Sequence, residues 1–299
     1  MDMTFKSILL AGLAIVLLGS CEKTLFIDVS ETEPRIVMNG ILTQNSGLWL
    51  NVSESTGTST PAIKSFIPTE NATVQILKND QLLTTITENS SGNYHSMEFN
   101  PLVDQAYEIR VNAEGMPDAT TIVSIPDRVE ISDFDTSTVV LNQNNYNQIV
   151  YKEVNFFLNF SISDPGDRWN YYTLGVYYLE NNTYYPLQVD TEDLVMNIYI
   201  KDGVEVLAWD DNTFNGEKRS FNVRFGGQNH EGFETVILVQ LYSIQEDYFD
   251  YLKTYSQNYT VLNETGLLYE PVEVSTNITG GFGIVAAVAT SSITFNYTF

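Results

Sequence analysis

The chain has 299 residues, 43% of them hydrophobic, which is room for one large domain or two ordinary ones, each with a core of its own. Thirty-eight Asp and Glu oppose 14 Lys and Arg, a net charge of −24, so nucleic acid and docking through a basic membrane-binding patch are both excluded as modes of action. One cysteine rules out a disulfide framework or a Cys-rich zinc site, and two histidines, His95 and His230, leave little metal or acid–base chemistry.

Lys6 and the apolar run Ile8 to Leu18 have the charge and length of a signal-peptide h-region, too short for a spanning helix. The run ends in Leu18-Gly19-Ser20-Cys21, the small-residue pattern of a bacterial lipoprotein signal, and the chain's single cysteine stands at the position that takes the lipid. The expectation is a signal peptide over 1–20 and acyl chains on Cys21 holding the mature protein in a membrane leaflet. Residues 21–34 then form a short acidic tether. In such a protein the repeated Asn-x-Ser/Thr triplets, as at Asn51 and Asn71, are polar turn and strand residues rather than glycan acceptors.

Beyond the tether the composition, with 18 Tyr, 16 Phe and many Thr and Val, is that of β-sheet. Alternating runs predict strands over 36–42, 48–52, 73–77, 82–87 and 106–111, with hairpin turns at Lys78–Gln81 and Ser91–Asn93. The long Ser, Thr and Pro-rich segment Ser53–Glu70 predicts a protruding loop. Pro126 is the expected domain boundary. Further strands are predicted over 151–162, 171–179, 197–200, 219–225, 234–242 and 281–289, and the Asn/Gln-rich stretch 142–148 reads as a polar loop. Ile244, Tyr248, Leu252, Tyr255 and Tyr259 recur at helical spacing, which predicts one amphipathic helix over 243–259 with Ser243 as its cap and Glu246 three residues on. The C-terminal alternation Ile293–Phe299 reads as the last strand of a sandwich. An outer-membrane barrel would need longer strands and no lipid anchor.

The motifs offer little chemistry. Asp164-Pro165-Gly166-Asp167 is turn chemistry, with Asp bracing the turn through its side chain. Residues 210–217 have the oxygen density of a calcium loop, but counted from Asp211 the twelfth position is Asn222 where a bidentate Glu is required. A polar hairpin loop is the better reading. Gly280-Gly281-Phe282-Gly283 lacks the Lys-Ser/Thr ending of a phosphate loop and reads as a bend between strands. His230 sits in a loop and no Gly-x-Ser-x-Gly elbow occurs. No catalytic residue, metal ligand or cofactor is assigned.

Several segments resemble a family of Bacteroidota outer-membrane lipoproteins that carries a domain of unknown function (domain of unknown function 4249). They are Glu33-Pro34-Arg35-Ile36-Val37-Met38-Asn39-Gly40-Ile41-Leu42-Thr43, Asn71-Ala72-Thr73-Val74, Ser91-Gly92-Asn93-Tyr94, Asp164-Pro165-Gly166 with Asn170-Tyr171-Tyr172, the helix region from Leu241, and Ser275 to Ile284 with Gly280, Gly281 and Gly283. The resemblance runs along the whole mature chain in order. It implies an outer-membrane location, often facing outward, and a gene neighbourhood with a TonB-dependent receptor. It carries over no catalytic residue. Surface-export signals in these bacteria cluster acids just after the lipid cysteine, whereas here Lys23 follows Glu22. The expectation is an outer-membrane protein facing the cell exterior, with this departure from the export signal leaving a periplasmic orientation as the alternative.

The resulting expectation is a mainly β protein: an N-terminal immunoglobulin-like β-sandwich over 35–126, then a second antiparallel β domain over 127–299 with one amphipathic helix. Its expected role is a non-catalytic surface lipoprotein that serves a TonB-dependent receptor as an accessory or substrate-capture subunit. The alternatives are a structural subunit of another outer-membrane assembly or secretion complex, and a glycan-binding or glycan-cleaving surface protein. For the last, Tyr177, Tyr178, Tyr184, Tyr185 and Trp209 are the aromatics to test as exposed, with placement in the core the equal alternative.

Overall fold

In the strands Ile36–Thr43 (β1) and Gly47–Glu54 (β2), alternate residues are apolar, and Ile36, Met38, Leu42, Leu48, Leu50 and Val52 all turn to one face and are buried. That period of two sets the hairpin register, because a slip of one residue would expose the whole set. The computed structural model describes residues 33–56, 67–264 and 272–299. The predicted leader, Cys21, the tether as far as residue 32 and the middle of the predicted protruding loop lie outside the described residues.

β1 and β2 belong to an eleven-stranded sheet that collects strands from both halves of the chain. On one side β2 continues to Asn93–Ser96 (β7) and Glu88–Ser90 (β6), with Ile67–Pro68 (β3) also on β2. On the other side β1 pairs with the long last strand Phe282–Thr298 (β19), followed by Glu234–Ile244 (β18), Tyr171–Glu180 (β12), Val204–Asp210 (β16) and Asn197–Lys201 (β15). Thr183–Leu187 (β13) pairs with β12. The β1–β19 ladder is parallel and the others between described strands are antiparallel, so the pairing is mainly antiparallel, as the sequence suggests, with one parallel seam.

Two smaller sheets cover one face of this large one. Thr73–Lys78 (β4), Gln81–Ile86 (β5), Ala106–Asn112 (β8) and Ala119–Ser124 (β9) close the first core over β1, β2 and the start of β19. Asn79 and Asp80, both at positive φ (50° and 62°), make the tight turn between β4 and β5 at the predicted place. Ser132–Tyr146 (β10), Ile149–Ser163 (β11), Lys218–His230 (β17) and Val189–Asp190 (β14) close the second core, where Phe156, Phe160, Phe221 and Phe225 meet Tyr172, Trp209 and Leu241. Pro126 lies between Ile125 of the first core and Val129 of the second, and the large sheet runs across both.

Residues 142–148, expected as a loop, are strand except for the turn at Asn147 and Gln148, which sit at φ 49° and 68°. From Ser137 to Tyr146 no residue of β10 is buried, so this hairpin reaches past the core and lacks the alternation that marks a half-buried strand.

The helix Glu246–Glu264 (α1) lies on the opposite face of the large sheet, packed through Phe249 and Leu252 onto Ala208, Ile244, Ala286 and Val288. Burying Leu252 completely stabilises the docking by about 2 kcal/mol. The helix starts later than predicted. Ser243 is a buried residue of β18, and the carbonyl of Gln245 instead accepts the amides of Tyr248 (3.2 Å) and Phe249 (3.1 Å). Continued strand pairing of Ser243 with Ala289 outcompetes the cap. Glu246 and Asp247 then place negative charge on the positive end of the helix dipole.

Candidate functional site

The residues carrying the family motif build a sealed junction. The turn from Asp164 to Asn170 joins β11 to β12 and packs on the loop that joins β16 to β17. The buried Asp164 does not brace its own turn, as the sequence suggests, but reaches across: its Oδ2 accepts the amide of Gly216 at 2.8 Å and its Oδ1 accepts the Tyr172 hydroxyl. Asp211, with no solvent exposure, accepts the backbone amide (2.9 Å) and side-chain amide (3.2 Å) of Asn170 on Oδ2. Asn170 also donates to the carbonyl of Pro165 at 2.9 Å. Burial above all, with the charge of Asp164 in addition and the Asn170 amides opposing, raises Asp211 to a pKa of about 6. Burial and the bond to Asp164 push the Tyr172 hydroxyl above the usual phenol range.

Two further oxygens of the loop serve its own amides, Asp210 Oδ1 accepting Asn212 N at 3.0 Å and the Asp211 carbonyl accepting Phe214 N at 2.8 Å. Among the described residues no three His, Cys, Asp or Glu side chains gather as a metal site.

Gly280, Gly281 and Gly283 carry the chain into β19 against its neighbours. At Gly283 (φ 100°) an added Cβ would stand 2.2 Å from the carbonyl oxygen of Met38, and at Gly281 it would stand 2.4 Å from that of Ile36. These glycines permit the parallel β1–β19 seam, as a bend between strands would.

A cavity opens on the helix-bearing face of the large sheet. It measures about 380 Å3, within the range of small-ligand sites, and its floor includes Ile41, Thr173 and Val288. Gly175 makes the room: a Cβ there would lie 2.6 Å from the Tyr177 hydroxyl, so the tyrosine ring folds back over the glycine. The Tyr177 and Tyr242 hydroxyls meet at 3.2 Å, and Tyr242 donates to Gln240 Oε1 at 2.6 Å. Tyr248 of α1 closes the wall and begins a ladder of rings, with centroids 6.2 Å from Tyr248 to Tyr251 and 5.5 Å from Tyr251 to Tyr255. Burial pushes the Tyr242 and Tyr248 hydroxyls up, so both remain neutral donors at physiological pH.

Lys201 supplies the cavity's cation. Its Nζ lies 3.2 Å from Asp202 Oδ2, and Asp202 Oδ1 accepts the Tyr255 hydroxyl at 3.1 Å. Burial works against the ammonium but is outweighed by the negative charge of the Tyr248 phenol once ionised at high pH and by Asp202, so the net shift is upward and Lys201 stays protonated. The site therefore offers apolar walls, convergent phenol hydroxyls and one compensated charge, which is the composition of a binding pocket.

Of the residues singled out from sequence, Tyr177 lies in the cavity wall, while Tyr171 packs on Phe249 of α1 with ring centroids 5.2 Å apart. Tyr184 and Tyr185 are exposed on β13, where Tyr185 stacks on Tyr178 at 5.4 Å. Trp209 takes the core alternative: it is fully buried between Tyr172 and Phe221 because the register of β16 turns it into the second core. His230 ends β17 with its ring against Phe233. Lys201, Tyr242 and the cavity role of Tyr248 escape sequence reading. The signal that could have led there is Gly175, a glycine inside a strand pattern, which marks a place where something approaches closely.

Fold and site together define a mainly β protein with several antiparallel sheets, one docked helix and a tyrosine-walled cavity. A family model described as "Domain of unknown function (DUF4249)" matches residues 22–294, and the chain belongs to that family. No curated protein matches it. Among solved structures, the major pilin SpaA of Corynebacterium diphtheriae is 8% identical over 70% of this chain and 69% of its own, with a TM-score of 0.23. The collagen-binding domain of Erysipelothrix rhusiopathiae surface protein RspB is 10% identical over 89% and 97%, with a TM-score of 0.20.

Proposed function

We propose that this protein is a non-catalytic, lipid-anchored subunit of the bacterial outer membrane that captures a small ligand for a TonB-dependent receptor. The tyrosine-walled cavity carries the reading, since its volume, apolar floor and convergent hydroxyls suit capture. Cys21 is the lipid attachment point, and the anchored chain faces the cell exterior from an immunoglobulin-like N-terminal sandwich. Among the described residues no helix is long and apolar enough to cross a membrane. A binding role also accords with the raised carboxyl of Asp211 being sealed away from any substrate. Import energy would come from the receptor.

Native mass spectrometry of the protein, extracted from its own membranes in mild detergent, tests the reading. A stoichiometric small-molecule adduct is expected. A bare mass under conditions that preserve other weak complexes would count against capture in this cavity.

A further inference from the structure

On the face that holds the cavity, the large sheet continues across β1, β2 and β7, where among the described residues Ile41, Trp49 and Asn93 are exposed. Cross-strand pairing aligns Ile41, Trp49 and His95 in one row, and Asn39, Asn51 and Asn93 in the neighbouring row on the same face. Ile41 belongs to the cavity floor, so the first row is continuous with the cavity. Trp49 is 52% exposed, and its indole is stacked on the His95 imidazole with centroids 3.6 Å apart. The imidazole is held in turn by Nε2 against the Ser46 carbonyl at 3.2 Å, and the His95 backbone amide donates to Asn89 Oδ1 at 2.6 Å. Asn51 donates to Asn93 Oδ1 at 3.0 Å, which orders the amide row.

This strip of six residues contains no Asp, Glu, Lys or Arg, on a chain whose net charge is −24. We infer that it binds a neutral glycan chain, leading it to the cavity; the inference rests on the capture reading and names its ligand class. A rigid, half-exposed indole offers an apolar plate for the C–H face of a sugar ring at small entropic cost. The asparagine amides beside it supply both donors and acceptors for equatorial hydroxyls. Three strands at about 4.8 Å spacing make a platform about 10 Å across, the span of about two sugar units. An acidic glycan would meet the field of the whole chain, and an apolar protein face would strand the amide row without partners.

Isothermal titration of the full-length protein in detergent with cellohexaose, maltohexaose, xylohexaose and mannohexaose, and with hexagalacturonate as the anionic counterpart, tests this. At least one neutral hexaose should bind, with Trp49→Ala weakening it about tenfold or more and Trp49→Phe, which keeps a ring, staying close to wild type. Trp49 is exposed, so both variants should keep the wild-type circular dichroism. The inference is overturned if no neutral hexaose binds at millimolar concentration, if only hexagalacturonate binds, if Trp49→Ala leaves binding unchanged, or if light scattering shows Trp49-dependent self-association in place of sugar binding. A native adduct that survives Trp49→Ala alongside failed hexaose binding would sink the platform and leave the cavity standing. Trp49-dependent hexaose binding without any native adduct would do the reverse.

Discussion

Asp211 and Asp164 are neighbouring acids, and Asp211, with no solvent exposure, has no hydrogen-bond partner on Oδ1. Burial, with the neighbouring Asp164 charge in addition, disfavours ionisation of Asp211, so it holds its proton below about pH 6. This clasp ties the β11–β12 turn to the β16–β17 loop through Tyr172, Asn170 and Gly216.

A pH dependence of stability follows. Asp211 is raised from 3.8 to about 6 in the fold, so between these values the folded chain binds a proton that the unfolded chain has released. The stabilisation is fully present below the unfolded value and is lost as pH rises through about 6. Asp211→Asn mimics the protonated acid, its NH2 donating to Asp164 while its oxygen still accepts from Asn170. At pH 8 the variant should be more stable than wild type by about 2 kcal/mol, with the gap closing toward pH 4. Urea denaturation of both proteins across pH 4 to 8 measures that difference, free of the general charge repulsion both share. Asp164→Asn should instead cost about 1–3 kcal/mol, because both Asp164 oxygens already accept hydrogen bonds.

At Gly283 the backbone of β19 passes close against β1. With φ at 100° and the Met38 carbonyl in the way, Gly283→Ala should destabilise the protein by about 2 kcal/mol or more. Hydrogen exchange should show the loss first in the β1–β19 ladder. Uniform exchange changes without focus on that ladder would mean the seam is not what the glycine protects.

Filling the cavity should abolish ligand retention without unfolding the chain. Gly175→Val drives Tyr177 off its place above the glycine and into the open volume. The native adduct should disappear while the thermal midpoint falls by only a few degrees, equivalent to about 1–2 kcal/mol. An unchanged adduct in this variant would place the ligand elsewhere.

The helix can be loosened separately. Leu252→Ala removes a side chain with no exposure from the α1–sheet contact and should cost about 2–5 kcal/mol. Amides of α1 should exchange faster than those of β18, since the strand keeps its ladders on both sides.

How much of this was legible in the sequence depended on burial. β1, β2, β4 and β8 alternate because one face of each is in the core, and their strands were readable for that reason. The outer part of β10 was not, because exposed residues on both faces leave no period to detect. The helix was visible from Leu252 and Tyr248, but its start was displaced because strand pairing holds Ser243, a competition that local capping signals do not register. The parallel β1–β19 seam joins the two ends of the described chain, and only the glycines at 280–283 hinted that another backbone passes close by. Trp209 and Trp49 show the same limit from opposite sides: composition supplies the aromatics, but strand register decides that one is core and the other surface.

The capture reading requires a membrane partner. Affinity purification of the tagged, lipid-anchored protein from native outer membranes in mild detergent, with mass spectrometry of what accompanies it, addresses that requirement most directly. The account predicts a stoichiometric TonB-dependent receptor. Recovery of assembly or secretion components instead, or of the protein alone while control complexes survive, would contradict it.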